Sequence, residues 1–303
     1  MASLRAYLGT WMVRNKVRGP LAKARDAAAF RRIFEAPAFL DPKGVTYEPG
    51  TVGGIRGEWV RPKSGAGQQR MLYIHGGGFI ACSPKTHRPV TGALALRGFS
   101  LFVPDYRLAP EHPFPAAVED AVAVWQAFSA EGAACVAGES AGANLALVLI
   151  GEARARGLPM PWAAALFSPA TDFVSEDGSR RSNAWRDAMF DPGALAVIRT
   201  MYLGKANPAD PRISPINADP TGYPPLLFHV GEREVLRDDS IRMAERARAA
   251  GVVTELKVFP VVSHAWQFAA HILPEARTSL DEAAAFLKAH APQGAAASGS
   301  LSR

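Results

Sequence analysis

The chain has 303 residues, is 48% hydrophobic and 20% charged, and holds two cysteines, Cys82 and Cys135. Such a length buries a core without staples, the cysteine count excludes a disulfide scaffold, and the apolar content excludes a mainly disordered chain. The formal net charge of +6 invites an anionic partner, but residues 1–25 hold six basic residues (Arg5, Arg14, Lys16, Arg18, Lys23, Arg25) and no acid, leaving 28 basic and 28 acidic residues in the rest.

The first ~40 residues read as helix: Leu4, Tyr7, Leu8 and Trp11 recur at helical spacing, and a second run extends from Ala22 to Phe34 and stops at Pro37. This segment is Arg-rich and acid-poor, as transit peptides are, but Ser is scarce and no secretory apolar run or cleavage site follows, so a cleaved leader is not expected. No window approaches ~18 uninterrupted apolar residues, so no membrane-spanning helix is expected either.

From residue 44 the pattern changes. Gly44–Glu48 and Arg56–Arg61 alternate and are bounded by Gly and Pro, which predicts antiparallel edge strands. Arg70–His75, Phe99–Pro104, Ala134–Ala137, Ala163–Phe167 and Leu226–Val230 are short apolar runs that suit strands buried on both faces. Helical stretches lie near 84–97, 116–130, 141–156 and 238–250, with a last strand over 253–259 and a last helix over Pro274–Ala289. This alternation predicts a doubly wound α/β sheet. Residues 171–222 break the rhythm. They are polar, carry prolines at 192, 208, 211, 215 and 220, and contain one helical segment near 193–203, so they read as an insertion on the sheet's carboxyl edge. The small, polar tail 292–303 is expected to be disordered.

Three sites carry chemistry. Gly138-Glu139-Ser140-Ala141-Gly142 fits G-x-S-x-G, after a buried strand and before an Ala/Leu-rich helix. A nucleophile elbow needs that context: a sharp turn exposes the Ser hydroxyl, and the next backbone N–H, on Ala141, can bind an oxyanion. His75-Gly76-Gly77-Gly78-Phe79 follows an earlier strand, and its glycines leave N–H groups uncovered for developing negative charge. The same stretch spells G-x-G-x-x-A over 76–81, but Ile80 to Pro84 delay the helix that a dinucleotide turn requires. A serine nucleophile also needs a base and an orienter. Of seven histidines, His264 follows the last strand, on a loop where catalytic residues of open α/β sheets collect. The acids after Leu226–Val230 are Glu232, Glu234, Asp238 and Asp239. The two aspartates suit the following helix's N-terminus, which leaves Glu232 and Glu234. No metal-ligand spacing occurs, and the cysteines read as packing thiols.

The strings HGGGF (75–79), DYRLAPEHPFPAA (105–117), GESAGA (138–143), SPATD (168–172) and SHAW (263–266), in that order, resemble the hormone-sensitive-lipase-like (family IV) esterases of the α/β-hydrolase fold. The likeness covers about residues 40–290. It implies a mostly parallel eight-stranded sheet with helices on both faces and a helical cap. The cap would comprise residues 1–40 and 171–222, and the catalytic core 41–170 and 223–291. Ser140 then matches the nucleophile and His264 the base. Against the family's G-x-x-D-P-L-R-D, Gly231–Asp238 places Glu234 as the acid, with Glu for Asp and Val235 for Pro as departures and Asp238 as the fallback. The family's G-D-S-A-G is G-E-S-A-G here. Gly77, Gly78 and Ala141 match the oxyanion hole, and Asp105, Tyr106 and Arg107 would tie the HGGG loop to the elbow.

The resemblance implies a serine carboxylesterase acting on short- to medium-chain esters, with no cofactor and no metal. The alternatives are an amide, lactone or carbamate hydrolase on the same triad, or a non-catalytic ligand receptor of the same fold. A cytoplasmic location is expected, with a small-molecule ester as partner, no stable membrane insertion, and homodimer formation through the last strand or helix as an implied possibility. The balanced body speaks against nucleic acid, and the basic N-terminal segment is expected to be a solvated helix face.

Overall fold

The computed structural model describes residues 2–35, 39–65 and 69–292. It opens on α1 (Leu4–Val13), a wide turn over Arg14–Arg18, α2 (Gly19–Lys23) and α3 (Ala27–Phe34). Ser3 and Asp26 cap α1 and α3 by accepting from the N–H groups of Ala6 and Ala29. The expected stop at Pro37 and the tail beyond 292 lie outside the described residues.

Next come β1 (Val45–Val52), β2 (Ile55–Pro62), β3 (Gln69–Ile74), α4 (Arg88–Ala95), β4 (Phe99–Pro104), α5 (Ala116–Ala130), β5 (Cys135–Glu139), α6 (Ala141–Ala155) and β6 (Ala164–Phe167). After β6 lie α7 (Ser179–Ser182) and α8 (Pro192–Leu203), then β7 (Leu226–Gly231), α9 (Arg237–Ala249), β8 (Thr254–Phe259) and α10 (Pro274–Ala289). The strands form one sheet in the order β1-β2-β4-β3-β5-β6-β7-β8. β1 and β2 are antiparallel to each other, β2 is antiparallel to β4, and the remaining neighbours are parallel. The eight-stranded, mostly parallel sheet expected from the sequence is the one found. The first two strands run longer than their alternating cores suggested, because the hairpin zips them together from Val45–Pro62 to Val52–Ile55.

The central strands are apolar throughout because both faces are covered. In β3, Leu72 and Ile74 join Phe102, Trp125, Leu145 and Met243 on the side of α5, α6 and α9. Met71 and Tyr73 point the other way, with Val90, Leu101, Leu280 and Leu287 on the side of α4 and α10. A third apolar cluster sits on the loops that follow β3 and β7. Leu21 of α2, Phe30 of α3, and Ala194 and Ile198 of α8 pack there against Ile80, Ala81, Val235 and Leu236. The N-terminal helices and the stretch between β6 and β7 thus meet over the carboxyl edge of the sheet. That stretch holds two helices rather than the single one expected. The extra helix, α7, is only four residues long, too short to leave a periodic signal.

Candidate active site

The residues singled out in the sequence converge at the carboxyl ends of β3, β5, β7 and β8. Ser140 closes β5 and opens α6 with φ 55° and ψ −119°, a conformation costly for a side-chain-bearing residue. Its neighbours hold that strain in place. Ser140 N–H donates to Phe167 O at 2.8 Å, and Asn144 N–H donates to Ser140 O at 3.0 Å. The Asn144 amide reaches on to Ala170 O and Ile213 O.

The glycine loop after β3 turns back on itself, with the N–H groups of Ile80 and Ala81 both donating to Gly77 O. Gly77 has φ 106°, and a Cβ there would collide with the Ala81 carbonyl, so only glycine fits. The N–H groups of Gly77, Gly78 and Ala141 have no protein acceptor among the described residues. The loop is braced from behind. His75 is buried, stacks on Tyr106 at 4.2 Å, and its carbonyl accepts from the Tyr106 hydroxyl at 2.9 Å. Burial and the nearby His87 push the His75 imidazole down to about 3, so it is neutral. Of the three residues expected to tie loop to elbow, only Tyr106 reaches the loop. Arg107 instead forks onto Asp120 of α5, and the Asp105 N–H donates to Arg56 O of β2. The physical reason is position: the chain leaves β4 toward α5, so only the inward-facing middle residue meets β3.

His264 follows β8 and is buried. Its Nδ1 lies 2.6 Å from Glu234 Oε2. The other oxygen of Glu234 accepts from the Gly231 N–H at 2.6 Å and from the Ser168 hydroxyl at 2.8 Å, so the carboxylate is held at both ends. Asp238 makes no such approach: it accepts from Ser179 N–H and pairs with Arg237. Glu232 turns outward toward Arg186. Of the acids after β7, Glu234 is therefore the one in contact with the imidazole.

The other ring nitrogen has an unexpected neighbour. His264 Nε2 stands 2.9 Å from Glu139 Oε1, without the alignment of a directed hydrogen bond. Glu139 is itself buried, with Oε2 3.5 Å from His87 Nε2. His87 Nε2 accepts from the Gly76 N–H at 3.0 Å. A Cβ on Gly76 would strike the Glu139 carboxylate, so this close approach also demands glycine. Burial opposes charge on the imidazole, but Glu234 and Glu139 outweigh it and raise His264 well above the ordinary histidine range. Burial likewise opposes charge on Glu139, but its contacts with His264 and His87 hold it below the carboxylate range.

Three supports escaped the sequence reading because they come from the stretch between β6 and β7. Asn183 donates to the carbonyls of Glu232 and Glu234. Asp187 accepts from Val235 N–H with one oxygen and from Met189 and Phe190 with the other. Phe190 stands edge-on to His264 at 5.1 Å. A cleft of ≈ 860 Å³ opens above Ser140 and His264, with Phe34, Phe173, Ile198 and Leu236 among its apolar walls. Among the described residues, no group of three His, Cys, Asp or Glu side chains could hold a metal ion. Cys82 and Cys135 are buried and unpaired.

A strained serine at a strand–helix turn, a glycine loop beside it and a histidine–carboxylate pair from the last two strands define the α/β-hydrolase architecture. The model of the alpha/beta hydrolase fold family matches residues 71–268. The chain belongs to that family, and within it to the hormone-sensitive-lipase-like esterases, which are carboxylic-ester hydrolases. It is 38% identical over 249 residues to an acetyl-hydrolase of Streptomyces hygroscopicus, covering 80% of this chain and 83% of that one. An esterase of Acinetobacter venetianus is 33% identical over 288 residues, covering 92% and 95%. Among solved structures, the esterase EstE5 superposes with a TM-score of 0.91 at 35% identity, covering 95% of this chain and 99% of that one. A hormone-sensitive lipase from a metagenome library gives 0.85 at 36%, covering 94% and 97%.

Proposed function

We propose that the protein hydrolyses short- to medium-chain carboxylic esters through a Ser140–His264–Glu234 triad and an acyl-enzyme. The observation that carries this reading is the 2.6 Å contact of His264 Nδ1 with a fully held Glu234, beside a serine kept in a strained elbow. Glu234 fixes the tautomer that leaves Nε2 free for proton transfer. Ser140 Oγ attacks the ester carbonyl as His264 takes its proton. The oxyanion is received by the N–H groups of Gly77, Gly78 and Ala141. His264 then protonates the departing alcohol, and water repeats the sequence on the acyl-serine, returning the acid and free Ser140.

In the resting geometry Nε2 faces Glu139, not the serine hydroxyl. Catalytic hydrogen bonds often tighten only once substrate is bound. Glu139 is a second carboxylate against the imidazole: its charge favours the protonated ring, so Nε2 gives up that proton before it accepts the one from Ser140. Support for short to medium acyl groups comes from the apolar cleft and from the acetyl-hydrolase relative. Residues 4–34 and 171–222 act as the cap that shapes it.

A p-nitrophenyl ester series from acetyl to palmitoyl tests the reading. Turnover is expected to be best among the shorter members and to vanish in a folded Ser140→Ala variant. Glu234→Gln is expected to lower kcat far more than Asp238→Asn. Unchanged turnover in Ser140→Ala, or the reverse ranking of the acids, would remove the corresponding assignment.

A further inference from the structure

Helix α1 is two-faced in an unusual sense. Its inner face, with Ala6 and Thr10 buried, lines the cleft above Ser140. Its outer face is not polar. Leu4 (87% exposed), Tyr7, Leu8 and Trp11 (60%) stand more than half exposed, as does Met12 at the stripe's edge, where it also lines the cleft. They occupy positions i, i+3, i+4, i+7 and i+8, so they form one apolar stripe along the helix. Exposed large side chains scattered singly need no explanation, but five on one stripe do.

The charge pattern supplies a second, independent observation. Arg5, Arg14, Lys16, Lys23 and Arg25 are exposed, and among the described residues none lies within ion-pair distance of an acid. Elsewhere the arginines are extensively paired, as Arg31, Arg88, Arg107, Arg180 and Arg242 illustrate. Arg5 and Arg14 fall on opposite flanks of the stripe, about a quarter turn from its centre by helical geometry. Long cationic side chains in that position keep their charge in the headgroup layer while their stems lie along apolar surface.

The helix is also seated rigidly. Ser3 bonds Glu275 through both its N–H and its hydroxyl, and Arg18 donates to the carbonyls of Ala184, Asp187 and Phe190. The stripe is therefore presented preformed, with no ordering cost on binding. Half-exposed Ile272, whose carbonyl accepts from Arg5, continues the apolar surface to the cleft's rim.

We propose that α1 docks the protein on an anionic phospholipid surface. Leu4, Tyr7, Leu8, Trp11 and Met12 enter the interface, and the unpaired cations meet the phosphate groups. The cleft then opens beside the lipid, and esters dissolved in the membrane reach Ser140 without crossing bulk water. This is attachment to a surface, not insertion. No described helix is long and apolar enough to cross a membrane. The delivery of esters rests on the esterase reading above; the docking does not.

The test uses the full chain with vesicles of phosphatidylcholine alone and of phosphatidylcholine mixed with phosphatidylglycerol, read by co-sedimentation. Binding is expected to the mixed vesicles, weak or absent on the neutral ones, and suppressed by salt. Trp11→Asp is expected to abolish it. Arg5→Glu combined with Arg14→Glu is expected to weaken it more than tenfold, since each cation near such a surface contributes about a fivefold factor. Soluble p-nitrophenyl butyrate turnover should be unchanged in Trp11→Asp, whose exposed side chain does not line the cleft, which separates docking from folding and from catalysis; the arginine pair, which also gives up bonds to the Ile272 and Asp187 carbonyls, is read by binding alone. Equal binding to both vesicles, or binding that survives Trp11→Asp, would overturn the proposal. So would vesicle binding that is absent while sedimentation velocity shows a dimer dispersed by Trp11→Asp, because the stripe would then be covered by a second copy.

Discussion

At the scale of single residues, Ser140 and His264 were legible because their signals are local. G-x-S-x-G between an apolar run and an Ala/Leu-rich run fixes a strand–turn–helix, and that turn needs no distant partner to define it. The acid was harder. Glu232, Glu234 and Asp238 lie within one loop and helix start, and only the register of β7 against β8 decides which side chain meets His264. Glu139 was harder still, since nothing in the sequence places it between two histidines. Its contact makes a definite pH prediction. The groups facing His264 are Glu234 and Glu139, with Asp187 behind the former and His87 behind the latter. Both glutamates favour the imidazolium, so in the proposed role of base His264 must lose its proton against them. In kcat/KM, the acidic limb of the pH profile is expected above the ordinary histidine value of about 6.5. Glu139→Gln removes one of the two charges and should shift that limb down by about one unit. An unmoved limb would show that Glu139 does not act on the base. The same contacts bear on stability with opposite signs. The raised His264 stabilises the fold below its unfolded value and loses that contribution as pH climbs through the folded one. The depressed Glu139 stabilises above its unfolded value and loses it as pH falls through the folded one.

At the scale of elements, the sheet was readable because central strands buried on both faces are short continuous apolar runs, with helical stretches between. The stretch between β6 and β7 was not. It reads as a polar, proline-rich insertion, yet it supplies the clamp on the acid loop through Asn183, Asp187 and Ser179, whose hydroxyl donates to Val235 O. Those bonds span about fifty residues of sequence and have no local signature. Asp187 is the most informative member. It is buried, and burial, reinforced by the nearby Glu234, pushes its carboxyl up. The three N–H groups it accepts nevertheless hold it in place. Asp187→Ala orphans those donors, at a cost of about 1–3 kcal/mol or more. The loop carrying Glu234 then loosens, so kcat for p-nitrophenyl butyrate should fall by about tenfold or more with a smaller change in KM, as expected when a catalytic pair is misplaced by a fraction of an ångström. A variant that is destabilised but turns over normally would reduce the clamp to packing alone.

At the scale of the molecule, the uneven charge is the organising fact. The body is balanced and the excess belongs to the first 25 residues, whose helices lie over the cleft. By its sequence that segment is expected to be a solvated helical face. The periodicity of Leu4, Tyr7, Leu8 and Trp11 was visible, but periodicity cannot say which face of a helix is buried, and the buried one turns out to carry small residues. What anchors the segment instead is Leu21, fully buried in the third apolar cluster with Phe30, Phe190 and Ile198. That cluster joins the N-terminal helices, α8 and the loops after β3 and β7. Its loss should therefore be felt both in stability and in the cleft. Leu21→Ala is expected to cost about 2–5 kcal/mol in denaturant unfolding, the range for emptying a leucine site in a packed core. Because Leu21 packs behind the wall residues Ile198 and Leu236 and does not itself line the cleft, KM should rise more than kcat falls, most clearly for the longer esters that use more of the wall. If stability dropped while the ester series kept its profile, the segment would be a structural cover that does not shape the cleft. If neither changed, the cluster would not be what holds the N-terminal helices in place.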